Sequence, residues 1–367
     1  MLQSCLMTNA WTPIAQRIVA GLGVQPGELI QVRDHIDRPD VLYEVVLAVD
    51  CAGATPLIDH QSPAYLNRWL AEATPDAIAR SGRHRLRWLE QVDRVITLSG
   101  GIPDFDLATP AALAAWEELD ASLTHIEETR QLPILVVAAP NAQRAAKLGM
   151  TLAELEAHVL PALQLDVNAS RAVIEQAQRA VAGNHIVIGA GAGHRLHLYR
   201  GDRLWHGDDG VIDAADRRRQ AIVSNLPAGS IYTTVLETQT HGSLYLPAAL
   251  DAREVVLHFE GGRIVDIEAA HGADALARWL DSHTGEPRRI SHIGVGLNPH
   301  LRTPIGWTLV DEHIAGALFL ALGENRYMGG ENASSLNHDF ALVGASLWVD
   351  DLPIVVQGEL QIASGRA

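Results

Sequence analysis

Over roughly the first 140 residues, apolar positions fall in short runs separated by amphipathic stretches. The run 29–32 reads as a strand, 39–52 as a helix that Asp40 helps to start, and 54–58 as a second strand. Helical spacing recurs over 64–71 and 76–91, followed by a strand at 94–98. Another helix covers 110–128, and 133–138 is a wholly apolar strand. This alternation predicts a parallel sheet with helices on both faces. Residues 141–180 are largely helical, with Thr151 as N-cap and Glu154 three positions later, the spacing of a capping box.

From Asn184 onward the pattern changes to strands and turns. Strands are expected at 185–189, 195–199, 230–235, 255–259 and 263–268, with Gly261 and Gly262 forming a tight hairpin turn between the last two. Helices are expected at 273–280 and 312–322, and a terminal hairpin at 345–349 and 354–358. The chain thus divides into an α/β domain with a doubly wound parallel sheet (1–180) and an α+β, β-rich domain (181–367). At 367 residues, two domains is also the natural expectation from length.

The net charge of -16, from 44 acidic against 28 basic residues, speaks against a nucleic-acid partner, because the phosphate backbone demands a basic footprint. No stretch has the length and apolarity of a membrane span, and the first residues, MLQSCLMTNAW, lack the pattern of a signal peptide. Cys5 and Cys51 are the only cysteines, which fits a reducing compartment and no disulfide framework. These features predict a soluble cytoplasmic protein.

Chemistry concentrates between Ser291 and Asp339. The segments ISHIGVGLNPH, DEHIAGALFLALGENRYMGG and ENASSLNHDF set histidine, aspartate and glutamate among glycines and apolar residues, where a polar group is costly without a partner. His292 opens an apolar run and is expected at a strand end. In an extended Asn337–His338–Asp339, positions 337 and 339 share a face and His338 looks away, unless a bulge turns it in beside Asp339. His292, His338 and Asp339 would then be the two-histidine, one-carboxylate set that binds iron(II). A histidine–aspartate network that merely satisfies a buried loop is the other reading. Two further signals are discounted. The Gly189–Gly193 glycine run is followed by strand-like HRLHLY rather than the helix a nucleotide loop needs, and no GxSxG elbow is present.

The residues also resemble a family. GELIQV, LPILVVAAPN, GMTLAELEAHVLPALQLD, YRGDRLWHGDDG, NLPAG, FEGGRIVDIEA, IGVGLNP, VDEH, ALG and GGENAS follow the order and spacing of the aminopeptidase T and S metallopeptidases over nearly the whole chain. The resemblance implies an α/β domain, a β-rich metal domain and a homodimer. Of the five ligand positions of those two-metal peptidases, Ser230, His292, Phe319 and Asn337 replace glutamate, glutamate, histidine and histidine, and only Asp339 is retained. ISHIGVGLNP is similar to the corresponding stretch of 2,5-dihydroxypyridine 5,6-dioxygenases, iron(II) enzymes of the same scaffold. That likeness implies His292 and Asp339 as iron ligands, with Asn337 standing where the second histidine belongs and His338 one place along.

The expected function is therefore a mononuclear non-haem iron(II) dioxygenase-like enzyme acting on a small dihydroxylated ring. Ser230, Asn337 and Tyr327 are expected to contact the substrate or the ligands, with Tyr327 as a proton donor. One alternative is an aminopeptidase or amidase with a rebuilt zinc or cobalt site drawing on Glu312 and His313. The other is a metal-free, non-catalytic relative that binds a peptide or metabolite.

Overall fold

The computed structural model describes residues 9–101, 103–191, 193–219 and 221–362; Cys5 and Ala192 lie outside the described residues. The chain forms two compact units. One holds the residues up to Gln164 together with Gly210–Pro227, and the other holds Leu165–Asp209 with the residues from Ala228 on.

In the first unit five parallel strands run in the order Thr55–His60, Leu29–His35, Arg94–Ser99, Ile134–Ala138, Val223–Leu226. The helices start where the sequence supplies a cap followed by proline. Ser62, Thr74 and Thr109 each accept a backbone N–H three residues on, and Pro63, Pro75 and Pro110 occupy the first helical position. The missing proline N–H is no loss there, and the fixed φ suits the first turn. The Thr151–Glu154 capping box forms as expected.

The second unit begins with the helix Val167–Ala180. The expected boundary near residue 180 differs from this division, because Ile174, Ala177 and Val181 of that segment pack into the second unit's core. The sequence reading also missed the return of 210–227 to the first unit, where Val223–Leu226 pairs with Ile134–Ala138. An eight-stranded antiparallel sheet and a five-stranded antiparallel sheet follow. The latter has the order Asn337–Leu342, Leu318–Gly323, Ile290–Gly296, Ser230–Thr234, His206–Asp208. One apolar cluster joins the two sheets, with Leu196, Leu244 and Leu257 on one side and Ile231, Ile293, Leu320 and Phe340 on the other. The two-glycine hairpin forms as expected, with Gly261 and Gly262 at φ 56° and 80° between Ala252–Glu260 and Arg263–His271.

The expected helix over 312–322 is a correction. Only Thr308–Asp311 is helical, and Leu318–Gly323 is a strand at the heart of the smaller sheet. The Asp311 carboxylate accepts the N–H groups of Ile305 and Gly306 and closes the preceding turn. LFLALG is buried on both faces, and a short run apolar all round has no period by which strand and helix can be told apart. Among the described residues no helix is long and apolar enough to cross a membrane.

Candidate metal centre

Pairing fixes which side chains share a face of the five-stranded sheet. Ile231, Ile293, Leu318, Leu320, Leu322, Phe340 and Leu342 turn into the core. The opposite face carries His206 and Asp208, then Ser230, Tyr232 and Thr234, then His292, Gly294 and Gly296, then Phe319 and Ala321, and finally Asn337 and Asp339. Polar groups are thus interleaved with small residues that leave room above the sheet. Gly294 shows why: a Cβ there would lie 2.0 Å from Cζ of Phe319 on the neighbouring strand.

His292 sits within this sheet rather than at a strand end, opposite Thr234 and only 6% exposed. The ladder slips between Ile290 and Ile293, so Ser291 and His292 together oppose Ala321. Bulges of this kind re-aim a side chain. On its other side Ala321 pairs with Asp339. His292 and Asp339 therefore stand two strands apart, about 10 Å between backbones, with only a methyl group between them. Across that methyl, Nε2 of His292 approaches Oδ1 of Asp339 to 2.9 Å.

The tautomer of His292 follows from its other nitrogen. The Ser291 hydroxyl donates its single proton to the Glu324 carbonyl at 2.6 Å, so it accepts from Nδ1–H of His292 at 3.0 Å. Nε2 then presents a lone pair to a carboxylate oxygen. Two such atoms are held together only by a positive charge, either a proton on Nε2 or a cation bound to both. Oδ1 of Asp339 is buried and takes no aligned hydrogen bond among the described residues. Two donors each about 2.1 Å from one octahedral ion stand about 3 Å apart at right angles. The pair fits a metal ion by separation, by donor chemistry and by the orphaned oxygen. Burial alone would raise the Asp339 carboxyl, but the His292 charge overcomes this and holds it below the usual carboxylate range.

The other residues singled out in the sequence are distributed unevenly. His338 does not join the pair. The Asn337–Leu342 ladder is regular, with Leu322 opposite His338, and the bulge expected beside His338 is absent. The ring of His338 turns to the core side, edge-on to Trp279 at 5.1 Å and Phe340 at 4.8 Å. Asn337 does share the face of Asp339. Its Nδ2 donates to the Tyr327 hydroxyl at 2.9 Å, which leaves its carbonyl oxygen on the other branch. Burial, reinforced by the charge of Asp339, pushes the Tyr327 phenol far above its ordinary value, so it keeps its proton. Ser230 is buried opposite Gly296, four residues along the strand from Thr234, about 13 Å from the level of His292.

Glu312 and His313 form a second buried pair, with Oε1 and Nε2 3.4 Å apart. Burial raises the Glu312 carboxyl, His313 opposes this, and the charge of Asp339 adds to the rise. Burial would lower His313, but Glu312 and then Asp208 keep it above its ordinary value. Among the described residues, the only group of three or more histidine, cysteine or acidic ligand atoms all within 4.8 Å of one another is His258, Asp266 and Glu268, on the surface hairpin. A third ligand of those types does not close on His292 and Asp339.

Several contributors escaped the sequence reading. Tyr232 stands edge-on to His292 at 6.2 Å and forms one wall; Phe319, known from the sequence only as a replaced ligand position, forms another at 5.9 Å. Asn325 ties the site together by donating to the Ser291 carbonyl at 3.1 Å and accepting the Asn332 N–H at 2.7 Å. Asn332 in turn donates to the Gly323 carbonyl at 2.6 Å. The GENRYMGGEN stretch thus pins the loop that carries Tyr327. Asparagines around glycines were the available signal, since short amides commonly hold loops by bonding to backbone.

With this geometry in place, comparison with known proteins is informative. Residues 142–362 match the family model of 2,5-dihydroxypyridine 5,6-dioxygenases, NicX. No curated protein sequence matches the chain. Two solved structures share the fold over nearly the full length. Wild-type AmpT from Thermus thermophilus is 18% identical, covering 95% of this chain and 99% of its own, with TM-score 0.73. The 2,5-dihydroxypyridine dioxygenase from Pseudomonas putida KT2440 is 17% identical, covering 96% of this chain and 97% of its own, with TM-score 0.63. The chain belongs to the 2,5-dihydroxypyridine 5,6-dioxygenase family, and its α/β unit and β-rich unit together form the fold these proteins share.

Proposed function

We propose that this family member is an iron(II)-dependent dioxygenase-like enzyme acting on a small dihydroxylated aromatic or heteroaromatic ring, with the metal held by His292, Asp339 and the amide oxygen of Asn337. The reading rests on one observation above the others: Nε2 of His292 meets Oδ1 of Asp339 at 2.9 Å while Ser291 engages Nδ1. Such fixing of the remote nitrogen is the usual support for a metal-binding imidazole. Family membership supports the reaction class.

Bound iron would supply the redox partner for dioxygen and a Lewis acid for a substrate hydroxyl. The protein supplies the remainder. Tyr232 and Phe319 flank His292 and offer flat apolar walls to a ring. The Tyr327 hydroxyl accepts from Asn337 and retains its proton, which it can donate to an oxygen of the substrate. Glu312, buried and raised, is a carboxyl able to hold a proton on the same face. Ser230 is too far along its strand to share in this and is assigned no part.

The test is anaerobic reconstitution with iron(II), metal analysis, and oxygen uptake with 2,5-dihydroxypyridine, 2,5-dihydroxybenzoate and catechol. Stoichiometric iron and ring-dependent oxygen uptake are expected. Iron that fails to bind, or binds with no uptake on any of the three, refutes the proposal.

One observation favours a hydrolase instead: the buried Glu312–His313 pair lies where Glu312 feels the charges of both His292 and Asp339. On that reading zinc or cobalt would support chelator-sensitive cleavage of amino-acid p-nitroanilides without oxygen consumption. Metabolite binding by metal-free protein, with neither activity, would mark a non-catalytic relative.

A further inference from the structure

The chain that leaves the strand Ser230–Thr234 turns almost at once, and the turn carries Glu237. Its backbone is held from two sides. Gln239 donates to the Leu236 carbonyl at 3.1 Å, and Arg289 donates to the Glu237 carbonyl at 2.8 Å. The side chain is 12% exposed, with Arg203 at 3.2 Å as its counter-ion. The two carboxylate oxygens do different things. Oε2 faces Arg203, whereas Oε1 also accepts from Nδ2 of Asn325 at 3.1 Å and from the backbone N–H of Glu331 at 2.7 Å.

Both of those donors belong to the turn 325–332, which is closed on itself. Oδ1 of Asn325 accepts the Asn332 N–H at 2.7 Å, and the Asn325 carbonyl accepts the Gly330 N–H at 3.0 Å. Gly330 is what permits this closure, since a Cβ there would lie 2.1 Å from the Asn325 side chain. Tyr327 stands within the turn, its hydroxyl accepting from Asn337 on the face of Asp339. A turn closed in this way moves as a unit, so its bonds to the rest of the second unit decide where Tyr327 stands. These go to the carbonyls of Ser291, Gly323 and Glu286, and to Glu237. The carboxylate gives the stronger bonds, because its charge assists them. Glu237 also follows directly on the strand in which Thr234 pairs with His292, so one strand references both the metal ligand and the turn.

We infer that Glu237 is a positioning residue for the Tyr327 hydroxyl: through Asn325 and Glu331, its Oε1 sets the turn where Tyr327 meets Asn337. The inference rests on the function proposed above for the use made of the Tyr327 proton, and not for the pinning itself. A cavity of about 590 Å³ adjoins Glu237 and is lined also by Arg203, Arg289, Glu331 and Asn332. Water in that space can take over the freed donors when the carboxylate is removed. The fold is then kept while the turn loosens.

The experiment compares Glu237→Ala and Glu237→Gln, each alone and combined with Tyr327→Phe. Glutamine keeps an acceptor at the position of Oε1 and loses the charge. Glu237→Ala in the iron-loaded enzyme is expected to lower kcat for oxygen uptake with 2,5-dihydroxypyridine about 10- to 100-fold, as for a slightly misplaced group. KM and iron affinity should stay close to wild type, and Glu237→Gln should recover most of the loss. With Tyr327→Phe already present, Glu237→Ala should cost less than about twofold more, because residues that act as a unit are not additive. In metal-free protein, amide hydrogen exchange over 324–336 should quicken at least about tenfold in Glu237→Ala and much less in Glu237→Gln. Exchange needs no activity: if wild-type enzyme oxidises no ring, the proposed function fails and exchange decides this inference alone. Should Glu237→Ala not fold, Glu237→Asp keeps the charge for Arg203 but withdraws the oxygen from the turn, and the same results are expected. Unchanged exchange, losses that add to Tyr327→Phe, or a loss confined to KM overturns the inference.

Discussion

Replacing Ser291 with alanine tests the metal centre at its support rather than at its ligands. Ser291 is wholly buried, and its hydroxyl makes two hydrogen bonds, accepting from Nδ1 of His292 at 3.0 Å and donating to the Glu324 carbonyl at 2.6 Å. Removing it leaves both partners without their bond in a site closed to solvent. At about 1 kcal/mol per bond, metal-free protein should lose about 2 kcal/mol of stability. The second effect is the decisive one. Without an acceptor for Nδ1–H, the imidazole is free to change tautomer and to rotate, and loss of such a support lowers metal affinity about 10- to 100-fold. That corresponds to about 1.4 to 2.7 kcal/mol. Urea unfolding of the metal-free protein reads the first quantity, and competition of iron(II) against a calibrated chelator reads the second. A variant destabilised by about 2 kcal/mol that still binds iron as tightly as wild type would refute the tautomer argument. Ser291 would then be a structural hydroxyl only.

Asn337→His places a second imidazole on the face of Asp339 and should tighten iron binding at least about tenfold, since imidazole is the better ligand for iron; chelator competition measures it. His338→Gln, on the core side against Trp279 and Phe340, should lower the melting temperature and leave iron affinity unchanged. Gly294→Ala drives a methyl to 2.0 Å from the Phe319 ring and should destabilise by about 1–3 kcal/mol, read by urea unfolding, with iron binding weakened because that ring also abuts His292. His35 supplies a pH dependence: burial, with the Arg33 charge behind it, lowers its pKa from 6.5 to about 4. Its neutral ring therefore stabilises the fold above about pH 6.5, and that contribution, at most about 3 kcal/mol, is lost as pH falls toward 4. His35→Gln should flatten the decline of the urea midpoint across this interval.

Much of the architecture was legible because it depends on local chemistry. Helical spacing placed helices over 64–71, 76–91 and 110–128, where helices form, and the Thr151–Glu154 spacing gave a capping box that forms as expected. Strand–helix alternation gave the parallel sheet, and the motif order gave the family. His292 and Asp339 stood out as polar residues in apolar surroundings, and the fold brings them together although 46 positions separate them (339 − 292 − 1).

What remained closed to the sequence depends on register. Along a strand the side chains alternate, so a slip of one residue exchanges the faces, and only the partner strand decides which residue points inward. The regular pairing of Asn337–Leu342 sends His338 into the core, and the irregular pairing of Ile290–Gly296 aims His292 across Ala321. A doubly buried LFLALG carries no period, so its strand identity came from its neighbours on both sides. The part played by Glu237 was equally hidden: it reads as one acid in a turn until the fold sets it against Asn325 and Glu331, 88 and 94 positions along the chain. Local pattern decided most of the elements, and hydrogen-bonded pairing between distant segments decided the strand Leu318–Gly323 and which side chains meet.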